Sequence, residues 1–81
     1  MKPFYKIPFT KGTWYITTRD IIGLVEEIPR GTVLKYHSTA HSIYDGIIGF
    51  FFEDKDGNGY RWDLEEGLDP VIESKGKFII K

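Results

Sequence analysis

The sequence predicts a mainly β fold: a five-stranded small barrel or rolled antiparallel sheet with at most one short helix. Three observations carry this expectation. Apolar residues recur with period two along most of the chain, not 3.6. The alternating stretches are rich in aromatic and β-branched side chains, which suit a pleated, half-buried surface. Gly, Pro, Asn and Asp clusters separate these stretches at the short spacing of small barrels and rolled sheets. With 81 residues, 41% hydrophobic and 16% aromatic, one small domain over residues 1–81 with one modest core is expected.

The elements follow in order. Residues 13–18, T-W-Y-I-T-T, read as a strand with Trp14 and Ile16 on one face and Tyr15 and Thr17 on the other. Residues 20–27 are ambiguous. Ile21, Ile22, Leu24, Val25 and Ile28 fit a helical face that Asp20 could cap, yet Gly23 weakens a helix and Pro29 stops it. One or two helical turns and an irregular β arm are equally compatible with this stretch. Ile28-Pro29-Arg30-Gly31 carries Pro and Gly at the positions of a type I turn. Residues 32–36 form the next strand, with Leu34 and Tyr36 on one face. Residues 37–46 show no periodicity and read as a loop. Residues 47–53 are apolar on both faces, as in a central or strongly curved strand. Residues 54–59 hold two glycines, two aspartates and an asparagine, and so close a hairpin. In residues 60–64 the alternation is cleanest: Tyr60, Trp62 and Leu64 inward, Arg61 and Asp63 outward. Glu66-Gly67 and Asp69-Pro70 mark a corner, and residues 77–81 form a last strand with Phe78 and Ile80 inward.

The order of features resembles a Src-homology-type small barrel over residues 11–81. Residues 17–28 would be its arm, and I-P-R-G-T-V-L-K-Y its diverging turn and second strand. Residues 37–46 would be its second variable loop, and G-F-F-F-E-D-K-D-G-N-G-Y-R-W-D-L its distal hairpin. Leu68-Asp69-Pro70 would sit near the short turn before the closing strand. The resemblance is architectural. The peptide-binding family's first-loop aromatic-acidic motif, paired tryptophans and proline-tyrosine pair have no counterpart here, so it implies neither a proline-rich ligand nor any site residue.

Composition narrows the function classes. There is no cysteine, which excludes a disulfide scaffold and a thiol nucleophile and fits a reducing, cytoplasmic setting. The opening residues do not read as a signal peptide, and the longest apolar run, residues 47–52, is too short to span a bilayer, so no membrane partner is expected. Eleven basic and twelve acidic residues leave a net charge of -1, no basis for a phosphate-binding surface. The charge is uneven: six basic against three acidic over residues 1–44, five against nine over residues 45–81.

Three constellations could carry chemistry. Asp54, Asp56, Asn58 and Gly59 with Glu65 match D-x-[DN]-x-[DN]-G-x5-E and resemble a calmodulin-type EF-hand loop. Arg61 at the eighth position, β-like flanks and the distance of Glu65 along a strand mark that match as coincidental. His37 and His41 have a zinc spacing if they share a helix, with Asp45 as a third donor, but here they fall in a loop. Ser38 and Ser42 lie near these histidines without a nucleophile elbow or phosphate loop, so no enzyme, cofactor or metal is predicted. Aromatics remain. Tyr5, Phe9, Tyr15, Tyr36 and Tyr44 lie in or near the basic half, where exposed rings can stack bases or contact a protein. The expected function is a non-catalytic protein–protein interaction domain (an inhibitor, immunity-type or accessory protein) with Tyr15, Tyr36, His37 and Tyr44 as candidate binding residues. A nucleic-acid-binding small barrel is the first alternative, and calcium binding through the EF-hand-like loop the second.

Overall fold

A computed structural model describes residues 6–24 and 26–81. Among them are seven strands and one helix: β1 (Trp14–Thr17), β2 (Ile21–Ile22), β3 (Glu27–Ile28), β4 (Val33–Ser42), β5 (Ile47–Glu53), β6 (Gly59–Glu65), α1 (Pro70–Ser74) and β7 (Phe78–Ile80). Five strands form one antiparallel sheet in the order β6-β5-β4-β1-β7, and β2 pairs with β3 in a separate two-stranded arm. The sheet rolls around its core and does not close into a barrel. Of the two architectures expected, the rolled sheet is the one adopted.

The period-two faces hold. Tyr15 and Thr17 are buried on β1, Leu34 and Tyr36 on β4, Trp62 and Leu64 on β6. β5, apolar on both faces, pairs with β4 on one side and β6 on the other. Its inner Ile48, Phe50 and Phe52 are buried, and its outer Phe51 lies under the Arg61 guanidinium, 5.6 Å away. Phe9 fills the centre, with its ring within 6.0 Å of those of Tyr15, Tyr36, Phe50, Phe52, Trp62 and Phe78.

Several local expectations are corrected. Residues 20–27 take the arm, not the helix: Ile21 pairs with Ile28 and both are buried, while Ile22 is exposed. The Asp20 carboxylate accepts from the Arg30 backbone N–H at 2.8 Å instead of capping a helix. Val25, part of the expected helical face, lies outside the described residues. The helix forms at Pro70–Ser74, where the Asp69 carboxylate accepts from the Val71 N–H and Pro70 occupies the first turn, needing no donor there.

The turn after the arm is one residue later than read. Thr32 N–H donates to the Pro29 carbonyl, and Gly31 has φ +83° at the third position, which is type II geometry. Thr17 clamps this turn, donating from Oγ1 to the Pro29 carbonyl and accepting from Thr32 N–H.

The largest correction is residues 37–46. β4 continues to Ser42, pairing Ser38 with Phe51 and Ser42 with Ile47. A bulge between Tyr36 and Ser38 inserts His37 and shifts the alternation by one residue, which hid the strand from period-two reading. Only residues 43–46 turn, with Gly46 at φ +63°.

Candidate functional site

The alternation that buries Tyr15 and Leu34 places their neighbours on the opposite face of the sheet. Ile79, Ile16 and Val33 are direct neighbours there across β7, β1 and β4. Trp14 pairs with Lys35, and Lys35 with Glu53, in the next row. The Lys35 ammonium sits 5.6 Å from the Trp14 ring and 3.3 Å from the Glu53 carboxylate, so its charge is shared between an aromatic face and an acid. Ile16, Val33 and Trp14 are half-buried and Ile79 is 54% exposed. Beside this row lies a groove of about 700 Å³ lined by Trp14, Thr32, Val33, Asp54, Lys55 and Lys81. An apolar floor with a polar, mixed-charge rim is the anatomy of a contact surface.

The hairpin at residues 54–59 forms one wall of this groove. Asp54 Oδ1 accepts from the N–H groups of Asp56 and Asn58, and Oδ2 accepts from the Asn58 side-chain amide. The Asn58 side chain foremost holds the Asp54 carboxyl below its ordinary value, against the opposing effect of desolvation and with the help of these backbone donors. Glu65 ends β6, opposite Ile47 at the far end of the hairpin, about 20 Å along the strand from the turn. Asp54 therefore serves the turn, and Glu65 is out of reach of an ion held there. A carboxyl with a depressed folded-state pKa supports its turn fully above the unfolded value and withdraws support as pH falls through the folded one. The protection of the Asp56 and Asn58 amides, taken relative to their intrinsic exchange at each pH, should fall in that acid range and stay constant around neutral pH. Protection that is flat across the acid range would remove the carboxylate from this role.

A second cluster lies on the outer face of β5 and β6. Asp63, expected outward and solvated, is only 3% exposed. Its Oδ1 accepts from Arg61 Nε at 2.6 Å, and its buried Oδ2 has no hydrogen-bond partner among the described residues. Gly49 stands opposite it, and a Cβ on Gly49 would come within 2.8 Å of Oδ1. The missing side chain is thus the space the carboxylate fills. The arm covers the neighbouring edge: the Glu26 carboxylate accepts from Arg61 N–H, and Gly23 packs near the backbone of Arg61 and Asp63. This satisfies part of an edge strand that would otherwise be open.

The four candidate binding residues do not come together. Tyr15 and Tyr36 are buried in the core and unavailable as contact rings. The Tyr15 hydroxyl accepts from Thr10 N–H at 2.8 Å, and the Tyr36 hydroxyl bonds Thr39 Oγ1. Each phenol therefore has the polar partner that burial requires. His37 is exposed on the bulge, with Nδ1 2.9 Å from Ser38 Oγ. Tyr44 is fully exposed at the β4–β5 tip beside exposed Ile43. Four residues along a strand separate His37 and His41 by about 13 Å, so the zinc spacing has no helix to act on. His41 instead lies 3.4 Å from the Glu66 carboxylate, and Asp45 accepts from Ser42 Oγ. Of the rings named for base stacking, Phe9 is in the core and Tyr5 lies outside the described residues. Trp14, which was not singled out, is the aromatic that borders the groove.

No helix among the described residues is long and apolar enough to cross a membrane. No protein-family profile matches the chain, and no curated protein matches it in sequence. Among solved structures it is similar to an integron cassette protein from the mobile metagenome of Vibrio cholerae. The TM-score is 0.73 at 15% identity, over 90% of this chain and 88% of that one. At that identity the likeness is one of fold: a small β protein built on a five-stranded antiparallel sheet.

Proposed function

We propose that the chain is a non-catalytic protein-interaction domain, an inhibitor, immunity-type or accessory protein, that docks through the outer face of β7, β1 and β4. The observation that carries this reading is the continuous row Ile79–Ile16–Val33 with Trp14 beside it, left partly open to solvent next to a groove. Rings and branched aliphatics at the centre with lysines and acids at the margin are the residue types of interface cores and rims. The strand order, the β2–β3 arm and the short closing strand also support kinship with the Src-homology-type barrels. In this version the Glu26 side chain meets the edge of β6 where a closed barrel would have a strand. A reducing, cytoplasmic setting belongs to the same reading.

The test is affinity capture from the source cell with paired variants. Trp14→Ala combined with Ile79→Glu should lose the partners that the native chain retains. Ile72→Glu, on the exposed side of α1, should keep them. Capture that is identical with both variants would overturn this face as the docking surface. Retention on a nucleic-acid column that falls with salt would favour the nucleic-acid alternative instead.

A further inference from the structure

The two edges of the main sheet are treated differently. The β6 edge meets the arm through Glu26 and Gly23. The β7 edge does not. Thr18 N–H donates to the Lys77 carbonyl, and Lys81 N–H donates to the Trp14 carbonyl. Residues 77 and 81, and by alternation Ile79, thus direct their backbone groups into the ladder with β1. Phe78 and Ile80 direct theirs the opposite way, and no backbone group among the described residues pairs with them. The side chains are also incompletely covered. Ile80 shares a face with buried Tyr15 but is 72% exposed, and Ile79 on the other face is 54% exposed. Among the described residues the rolled sheet is therefore short of one strand here, in both hydrogen bonds and apolar cover.

Charge says what fits. From Ser74 to Lys81 the chain carries Lys75, Lys77 and Lys81 and no acid. The Arg19 guanidinium lies against Gly76 at the entrance to the strand. This is a basic edge on a protein of net charge -1. A second copy pairing antiparallel about Ile79 would set Lys77 opposite Lys81 at both ends, and like charges directly opposed are destabilising. Lysines flanking an edge strand are a known obstacle to self-pairing. They are no obstacle to a strand that carries carboxylates at its ends.

We infer that the free edge of β7 takes up an extended segment of a partner protein, alternating in apolar residues and flanked by acids, as a sixth strand of the sheet. Phe78 and Ile80 supply the backbone hydrogen bonds, Ile79 and Ile80 the apolar contacts, and Lys77 and Lys81 the charge selection. This rests on the protein-interaction reading and names the chemistry of the partner.

The probe is a capped synthetic peptide of alternating valine and threonine flanked by glutamates, titrated into the full chain and followed by amide chemical shifts and calorimetry. The expected result is saturable binding, with the largest amide shifts at Phe78 and Ile80. Ile80→Pro removes a donor that faces away from β1, so the native ladder survives. It should abolish binding with the melting temperature nearly unchanged. Lys77→Glu with Lys81→Glu should weaken binding about tenfold or more, and a lysine-flanked peptide should recover it. No binding by the acidic peptide overturns the inference. Shifts centred on Trp14 and Val33 overturn it while leaving the docking face intact. A concentration-dependent dimer that Ile80→Pro dissociates shows a second copy as the occupant and likewise overturns it. Partner capture indifferent to Trp14 and Ile79 would be the separate failure of the broader reading.

Discussion

Trp62→Ala is expected to cost about 3–5 kcal/mol, the usual range for deleting a buried aromatic. Trp62 is 2% exposed, with its ring 5.3 Å from Phe50 and 5.2 Å from Phe78, and the Lys77 ammonium 5.5 Å from its own ring. It sits on β6 at the sheet margin, where its indole fills the space between that strand and β7. Truncation leaves a cavity that two strands on opposite edges of the sheet cannot collapse into without unrolling. Domains of this size have total stabilities of about 5–15 kcal/mol, so the variant should melt more than about 10 °C lower or fail to fold. Thermal denaturation followed by near-ultraviolet circular dichroism reads the effect. An unchanged midpoint would show that Trp62 does not hold the two edges together.

Phe9→Ala should cost a comparable amount, about 3–5 kcal/mol, for a different reason. Phe9 belongs to no strand, yet its ring is the hub of the aromatic core. Five of its six ring contacts among the described residues, those to Tyr15, Phe50, Phe52, Trp62 and Phe78, are edge-to-face at 5.0–6.0 Å. That arrangement sets ring edges against ring faces and adds to the burial itself. Phe9→Leu should recover much of the loss, because it restores volume without the ring geometry. Urea denaturation of the two variants separates the contributions. If Phe9→Ala were as stable as the native chain, the segment before β1 would be dispensable to the core.

These two residues also mark what can be read from the chain alone. Trp62 is legible because residues 60–64 alternate without interruption, and alternation is a local property. Phe9 is not, because a single aromatic between Pro8 and Thr10 has no period to betray its face. β1 shows a related limit. Both of its faces carry aromatics, so the pattern separates Trp14 from Tyr15 without saying which is inside. The answer depends on Leu34 and Ile80 opposite Tyr15, strands away in sequence. Asp63 reads as solvated until Gly49 is seen beside it. The groove is harder still, since Trp14, Val33, Asp54 and Lys81 come from four segments that only the register joins. The short helix was nearer to hand: Asp69 before Pro70 is a helix-start signal, obscured by the corner that surrounds it.

The bulge at His37 makes the chain sensitive to counting at that point. Upstream of it Leu34 and Tyr36 face the core, and downstream Thr39 and His41 share the core-facing rows with Phe50 and Ile48. Even and odd positions exchange roles across one extra residue whose own side chain is exposed. The identity of residue 37 is therefore close to free, and its deletion would leave the faces as they are, with Tyr36, Thr39 and His41 inward and Ser38 and Ala40 outward on an unbulged strand. Keeping His37 but forcing residues 36–42 into a regular ladder would instead turn Ser38, Ala40 and Ser42 inward and drive Thr39 and His41 out, so the bulge is what lets the longest strand carry an extra residue without inverting. Variation at this site should be plentiful in kind, and loss of the residue should straighten the strand without turning its core face outward.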